Sequence, residues 1–178
     1  PQALTCDASA TLWVFVCIST VPPYIYGSRY WESWSLEEDL YLTTIQFIDR
    51  DHGVVTGEFG TVLLTADGGL TWVRASDLPD SFYPQAAWFA SPTVGYIAAE
   101  LGRVWKTTDG GNTWTRIMNL GYPYYWYGVD ALSANDVVIS GFDNSNLRGL
   151  LRWSHDGGQT WSSDVVLTTR GWSGRVRF

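Results

Sequence analysis

One eight-residue motif occurs three times in this sequence, and it constrains the fold more than any other feature. The copies follow the pattern Ser/Thr-x-Asp-Gly-Gly-x-Thr-Trp at residues 65–72, 107–114 and 154–161. Their aspartates lie 42 and 47 residues apart. Sequence periods of about 20–50 residues are typical of arrays built from one supersecondary unit. The sequence therefore predicts a repeated structural unit.

The repeat extends upstream of the motif without gaps in the first two copies. The aligned pairs are Phe47 with Phe89, Gly53 with Gly95, Glu58 with Glu100, and Gly60 with Gly102. The third copy has Ala131 and Val137 at the Phe and Gly positions, and its five extra residues fall within 142–147. Each unit contains four short β-prone segments separated by Gly- and Asp-containing turns, which favour antiparallel hairpins.

Four-stranded antiparallel sheets repeated at this period are typical of β-propeller blades, so we predict an all-β propeller. We expect residues 1–178 to form one propeller domain or a fragment of one. We call the eight-residue motif the Asp box. The predicted units are a degenerate blade at 1–40, Asp-box blades at 41–84, 85–122 and 123–170, and a strand of the next or closing blade at 171–178. In the degenerate blade, an insertion at 21–28 replaces the box turn. About four blades are visible, and either a closed four-bladed ring or a fragment of a larger propeller fits this number; we favour the fragment because the sequence stops where a new repeat begins.

The charge and the cysteines limit the classes of partner. Eleven basic against 18 acidic residues give a net charge of -7, which argues against nucleic-acid binding. This balance is compatible with sugars, metal ions or basic protein surfaces. No apolar run is long enough for a transmembrane segment. The spacing of Cys6 and Cys17 fits no zinc or redox motif, and both a disulfide between them and two buried thiols remain open.

The box residues have a local structural role in this interpretation. The Asp carboxylate can accept backbone N–H bonds across the turn, the paired glycines can adopt positive φ, and the Trp can pack between strands. A calcium loop needs several oxygen ligands close together in sequence, whereas each box offers one carboxylate, so we predict no metal and no cofactor. The predicted structural residues are Asp67, Gly69, Trp72, Asp109, Gly111, Trp114, Asp156, Gly158 and Trp161.

The connections between units are rich in aromatic residues. Because these connections are equivalent, we expect them to gather on one face, where clustered Tyr and Trp mark binding surfaces. An alternative is that alternate residues of the run 122–127 pack between blades. Glu58 and Glu100 occupy equivalent hairpins and could bind a cation or a sugar, or be solvated turn residues. The candidate binding face is Tyr83, Tyr122, Tyr124, Tyr125, Trp126, Tyr127, Glu58 and Glu100.

The boxes resemble those of the BNR/Asp-box families, which include sialidases, xyloglucanases, sortilin-type receptors and photosystem II stability/assembly factors. The longer unit is most similar to the last group, through Phe47, Gly53, Gly60 and the box at 65–72, and through their equivalents in the second unit. The resemblance implies a non-catalytic propeller that acts on a membrane photosynthetic complex from the lumenal side. It implies a non-cytosolic location, in the thylakoid lumen, the periplasm or the extracellular space.

Three functional hypotheses follow. The first is a non-catalytic scaffold for protein–protein interaction, whose protein partner belongs to a membrane complex. The second is a carbohydrate-active module, either a lectin or part of a sialidase- or xyloglucanase-like glycoside hydrolase. The third is a sortilin-like extracellular receptor propeller. None of the ten arginines lies in a recognisable catalytic motif and no carboxylate spacing selects a catalytic pair, so the sequence favours a protein that is not an enzyme.

Overall fold

The computed structural model describes residues 14–17, 24–27, 32–35, 42–57, 59–75, 78 and 83–168. Side chains are described from residue 42 to residue 167 of these ranges. All regular elements among them are β-strands, as the sequence predicts for an all-β propeller. Within the same residues there is no helix of the length and apolarity that a membrane span requires.

The first sheet has three antiparallel strands in sequence order. They are β1 (Val14–Cys17), β2 (Tyr24–Gly27) and β3 (Glu32–Ser35). The strand β2 lies inside residues 21–28, where the sequence predicted an insertion in place of a turn. Its Tyr-Ile-Tyr sequence has the aromatic and β-branched composition of a strand, and it pairs with both neighbours.

Three four-stranded sheets follow, each an antiparallel meander with its strands in sequence order. Blade 1 contains β4 (Leu42–Phe47), β5 (Gly53–Gly57), β6 (Thr61–Thr65) and β7 (Val73–Arg74). Blade 2 contains β8 (Pro84–Phe89), β9 (Gly95–Ala99), β10 (Arg103–Thr107) and β11 (Thr115–Asn119). Blade 3 contains β12 (Tyr124–Ala131), β13 (Val137–Asp143), β14 (Arg148–Ser154) and β15 (Val165–Thr168). This is the blade pattern that the repeat predicts.

The hydrophobic cores lie between neighbouring blades. The second strand of each blade is buried along its whole length. In β9, Tyr96 and Ala98 pack against blade 3, whereas Ile97 and Ala99 pack against blade 1. Successive side chains of a strand point to opposite faces of the sheet, so blade 2 contributes to both cores. Blade 2 therefore buries apolar side chains on both of its faces, against blade 1 and against blade 3.

An aromatic ring faces a glycine across the first two strands of blades 1 and 2. Phe89 is the register partner of Gly95, and a Cβ atom at Gly95 would lie 2.8 Å from the Phe89 ring. Blade 3 has Ala131 opposite Val137 at the same place. A small residue in place of the ring leaves room for a larger residue in place of the glycine, so both pairs can fill similar space.

Candidate functional site

The two ends of the blades present different residues. At one end, each box turn bonds to the loop between the first two strands of its own blade: Gly68 N donates to Asp51 O (2.8 Å), and the other two boxes repeat this bond. We call this end the box face. The opposite end carries the hairpins between second and third strands and the starts of the first strands. We call that end the aromatic face, and its residues are Phe59, Tyr83, Gln85, Glu100, Leu120, Tyr122, Tyr125, Tyr127 and Leu147.

The three boxes share one set of hydrogen bonds. In blade 2, the Thr107 hydroxyl donates to Asp109 Oδ1 (2.8 Å) and accepts from Gly111 N (2.9 Å). The backbone N–H and the hydroxyl of Thr113 donate to the two oxygens of Asp109, at 2.9 and 2.6 Å. The corresponding bonds of Asp67 join Thr65 and Thr71, and those of Asp156 join Ser154 and Thr160. Both oxygens of each carboxylate are thus used inside its own turn.

These bonds favour the ionised form of the box carboxylates. Hydrogen bonds from Thr113, and then from Thr107, lower the pKa of Asp109 to about 2. Hydrogen bonds from Thr160 lower the pKa of Asp156 in the same way. A general acid needs a raised pKa, so this environment does not suit proton donation near neutral pH. In the part of the chain that the structure describes, no three His, Cys, Asp or Glu side chains are grouped to hold a metal ion.

The glycines and tryptophans of the boxes complete the turns. Gly68, Gly69 and their equivalents in the other two boxes all have positive φ, which a residue with a Cβ rarely adopts. In blade 2, Trp114 Nε1 donates to Gly111 O (3.0 Å), and the Trp114 ring packs edge-on against Phe89 at 5.9 Å. Phe47 and Trp72 make the same ring contact in blade 1, and Trp161 repeats the bond to a glycine oxygen in blade 3.

The first strand of each blade contains a β-bulge at the same repeat position. The register shifts at Thr43 in β4, at Gln85 in β8 and at Tyr127 in β12, which are 42 residues apart in each step. A Cβ atom at Gly141, opposite the last bulge, would lie 2.1 Å from Tyr125 O, so only glycine fits there. Bulges redirect side chains and are frequent next to functional sites. These bulges could not be predicted from the sequence, because Thr43, Gln85 and Tyr127 share no residue type.

Large apolar side chains are exposed on the aromatic face. Tyr122 is 64% exposed, Phe59 53% and Tyr83 37%, and the rings of Phe59 and Tyr83 are 6.0 Å apart. Leu120 and Leu147 are also exposed there. Phe59 was not predicted from the sequence as part of the binding face; it occupies the middle of a Glu-Phe-Gly turn.

Backbone strain occurs on the same face. Phe59, Leu101 and Leu147 lie in the hairpins between second and third strands, and all three have positive φ, at 53°, 57° and 52°. The left-handed region costs a bulky residue about 1–2 kcal/mol relative to its ordinary conformation. Asn or Gly would adopt this geometry with less strain. Strained positions of this kind cluster at functional sites, which makes the aromatic face the best candidate on the molecule.

The aromatic side chains of residues 122–127 are partly exposed and partly buried, because successive side chains of β12 point to opposite faces of the sheet. Trp126 is completely buried between blades 2 and 3 and stacks on Tyr124 at 6.1 Å. Trp126 therefore lies in the core, where a partner cannot contact it, in contrast to its assignment to the predicted binding face. Tyr125 and Tyr127 point the other way, are half-buried and stack on each other at 6.5 Å with ring planes 12° apart.

An arginine occupies the Tyr124 side of β12. The Arg152 guanidinium lies 5.6 Å from the centre of the Tyr124 ring and 6.0 Å from that of Trp126. Its Nε donates to Asp164, and the Tyr124 hydroxyl donates to the other oxygen of Asp164 at 3.4 Å. Tyr124 thus belongs to an internal cation–aromatic–carboxylate group within blade 3.

Glu100 lies on the aromatic face, in the hairpin between β9 and β10. Gln85, the bulge residue of blade 2, donates from Nε2 to Glu100 Oε1 at 3.3 Å, and Glu100 N donates to Tyr83 O at 3.2 Å. Tyr83, Gln85 and Glu100 are therefore neighbours in space. Burial raises the pKa of Tyr127, and the negative charge of Glu100 raises it further.

Two predicted features fall outside the described residues. Glu58, the equivalent of Glu100 in blade 1, is one of them, so the pairing of the two glutamates stays a prediction. The disulfide between Cys6 and Cys17 is the other, because Cys6 and the side chain of Cys17 are not described.

Comparisons with solved structures agree with the propeller fold. The structure titled "YCF48 bound to D1 peptide" is 26% identical, with a TM-score of 0.63, and it aligns over 74% of this chain and 42% of that one. YCF48 from Cyanidioschyzon merolae is also 26% identical, with a TM-score of 0.58, over 71% of this chain and 38% of that one. The GH74 enzyme of Niastella koreensis has a TM-score of 0.66 over 88% of this chain and 30% of its own, but at 19% identity it supports the fold alone.

Sequence comparisons point to the same family. A curated relative, "Photosystem II assembly lipoprotein Ycf48" of Prochlorococcus marinus, is 36% identical over 64 residues, which is 35% of this chain and 19% of that protein. The chain spans less than half the length of these relatives. The profile of the family described as "Photosynthesis system II assembly factor YCF48" matches residues 25–177. The chain belongs to this family of photosystem II assembly factors.

Proposed function

We propose that this protein is a non-catalytic scaffold that binds a protein component of photosystem II during assembly, through its aromatic face. The observation that carries the proposal is the group of exposed apolar side chains on that face, led by Tyr122, Phe59 and Tyr83. Exposed aromatic clusters on loops of a rigid scaffold are typical of protein-binding surfaces. These three residues come from three different connections at the same end of the blades, and the rings of Phe59 and Tyr83 are 6.0 Å apart.

The family supports the identity of the partner. One of the solved relatives is described as bound to a D1 peptide, and that relative is 26% identical to this chain over the aligned residues. We infer that this chain also binds a segment of D1, or of a protein that contacts D1. The carbohydrate-binding hypothesis receives no comparable support, because the similarity to a GH74 enzyme extends only to the fold.

We infer a location on the non-cytosolic side of a photosynthetic membrane, in the thylakoid lumen. The curated relative is described as a lipoprotein, which is the support for this inference. Fractionation of a tagged chain in a photosynthetic host should recover it with the lumenal contents or with the lumenal surface of the membrane. Recovery in the cytosolic fraction would contradict the inference.

Binding can be tested with overlapping synthetic peptides that cover D1, by fluorescence anisotropy against the full chain. At least one peptide should bind saturably, and the double variant Phe59→Ser/Tyr122→Ser should bind it at least about tenfold more weakly, because two aromatic anchors are lost. Leu132→Ser is the matched control, since Leu132 is 70% exposed but lies on the box face. The proposal is wrong if no D1 peptide binds, or if the control loses as much affinity as the double variant.

A further inference from the structure

Leu101 lies between exposed aromatic residues of two different connections on the aromatic face. It occupies the tip of the hairpin between β9 and β10. On one side, the preceding residue, Glu100, donates its backbone N–H to Tyr83 O at 3.2 Å. On the other side, Leu101 O accepts the backbone N–H of Gly121 at 2.9 Å, and Tyr122 is the next residue. Two backbone bonds therefore fix the hairpin tip between Tyr83 and Tyr122.

The connection that carries Tyr122 is held against the hairpins of two blades. Leu120 N donates to Gly102 O at 3.1 Å, and a Cβ atom at Gly102 would lie 2.7 Å from Leu120 Cβ. The missing side chain of Gly102 thus allows the connection to lie directly on the hairpin of blade 2. In blade 3, Asn144 of the β13–β14 hairpin donates its N–H to Pro123 O at 3.0 Å. Tyr122 is therefore fixed through its backbone neighbours while its side chain is exposed.

Phe59 extends the same surface to blade 1. Its ring is 6.0 Å from the ring of Tyr83 and is 53% exposed. Phe59 precedes Leu101 by 42 residues, the distance between the first two boxes, so the two residues occupy equivalent hairpin tips in blades 1 and 2. Phe59, Tyr83, Leu101 and Tyr122 therefore follow one another across the aromatic face.

The backbone conformation of Leu101 is unfavourable for a leucine. Leu101 and Gly102 have φ values of 57° and 64°, and Phe59 and Gly60 repeat them at 53° and 70°. Two successive positive φ values are the requirement of a type I′ turn, in which Asn-Gly is a preferred pair. Among the described residues, neither Phe59 nor Leu101 belongs to a hydrophobic core, so core packing does not offset the strain. Strained residues that persist on a surface are typical of functional sites.

We propose that Leu101 is a contact residue for the partner, and that Phe59, Tyr83, Leu101 and Tyr122 together bind one continuous apolar segment of a single polypeptide. The four side chains are aliphatic or aromatic, so the segment that complements them carries apolar side chains. This inference rests on the proposed protein-binding function. It adds Leu101 to the contact residues, and it adds the arrangement of the partner as one segment instead of separate contacts with two proteins.

Leu101→Asn distinguishes a contact residue from a structural one. Asparagine adopts positive φ more readily than leucine, so the variant should unfold at a higher urea concentration than the wild type. It should bind a D1 peptide about fivefold more weakly, because an apolar contact is lost. A purely structural residue would not weaken binding while its replacement stabilises the fold. Leu70→Asn is the matched control, because Leu70 is 55% exposed in the box of blade 1 and Asn112 occupies the equivalent position in blade 2; its affinity should equal that of the wild type.

Photo-crosslinking tests the single segment without a choice of peptide. Benzoylphenylalanine replaces Phe59, Leu101 or Tyr122, one position at a time, in the full chain, which is then irradiated with solubilised photosynthetic membranes. Crosslinks from the three positions should map to one continuous stretch of the same polypeptide. Benzoylphenylalanine in place of Leu70, which lies in a box turn at the opposite end of blade 1, should not crosslink to that stretch.

The inference is overturned if position 101 gives no crosslink, if the three positions reach different polypeptides, or if Leu101→Asn keeps the wild-type affinity or unfolds at a lower urea concentration. If no D1 peptide binds, the affinity is measured with a synthetic peptide of the crosslinked stretch. The identity of the crosslinked polypeptide decides the proposed function separately. A single stretch in a protein outside photosystem II would contradict that function and leave the continuous site intact, whereas unchanged D1 binding by Leu101→Asn would do the reverse.

Discussion

The side chain of Gln46 joins blade 1 to the backbone of Phe89 in blade 2 by two hydrogen bonds. Gln46 Oε1 accepts from Phe89 N at 2.7 Å, and Gln46 Nε2 donates to Phe89 O at 3.2 Å. Trp88, the equivalent of Gln46 in the next repeat, donates from Nε1 to Ala131 O at 3.1 Å. Adjacent blades are thus aligned by a side chain at one repeat position, although the two residue types differ.

Replacement of Gln46 should reveal the contribution of this contact. Gln46→Leu removes both bonds and leaves Phe89 N without its side-chain acceptor, so we expect a loss of about 1–3 kcal/mol in the free energy of unfolding. Urea denaturation followed by Trp fluorescence measures this loss. The exposed Gln159→Leu control in a box turn should change stability by less than about 0.5 kcal/mol. Equal effects of the two substitutions would show that the inter-blade contact contributes little.

The Phe–Gly and Ala–Val pairs predict a compensating double substitution. Phe89→Ala should cost about 3–5 kcal/mol because it leaves a cavity. Gly95→Val should also destabilise, since its side chain would collide with the Phe89 ring. The double variant reproduces the Ala131–Val137 pair of blade 3, so it should be more stable than the sum of the single losses predicts. A double-mutant cycle in urea measures the coupling, and strict additivity would contradict the explanation.

The box carboxylates predict a dependence of stability on pH. The folded-state pKa of Asp109 is about 2, below the usual aspartate pKa of 3.8, so the ionised carboxylate stabilises the folded state above pH 3.8. This contribution should disappear as the pH falls through about 2. Asp109→Asn lacks the charge at every pH and should be less stable than the wild type at pH 6. Thermal unfolding at a series of pH values should show the difference narrowing between pH 4 and pH 2, and a constant difference would contradict this assignment.

The burial of Trp126 and the exposure of Tyr122 predict different effects of their substitution on the free energy of unfolding. Trp126→Ala should cost about 3–5 kcal/mol of stability, because Trp126 is fully buried between blades. Tyr122→Ser should leave the free energy of unfolding within about 0.5 kcal/mol of the wild type, because Tyr122 is 64% exposed. The two values come from the same urea titration. A large destabilisation by Tyr122→Ser would remove Tyr122 from the candidate surface.

The fold was predictable to the extent that it depends on local sequence. The spacing of Asp67, Asp109 and Asp156 predicts units of four strands, and the described sheets contain those strands. The strand β2 was missed, because the proline pair before Tyr24 suggested an insertion. The candidate site was predictable only in part: Tyr83, Tyr122 and Glu100 do lie on one face, whereas Phe59 was overlooked and Trp126 is buried.

The sequence by itself determined the features whose causes lie within a few residues of one another. A box turn needs a carboxylate, two residues that tolerate positive φ and a hydroxyl within eight positions, and these requirements are visible as the repeated motif. Only the tertiary structure decided which side of each strand faces another blade. The bulges at Gln85 and Tyr127, the bond from Gln85 to Glu100 and the bonds between Gln46 and Phe89 join segments about 15–43 residues apart, through pairing within sheets and packing between them. Such contacts depend on the position of one blade relative to the next, which no short stretch of sequence specifies.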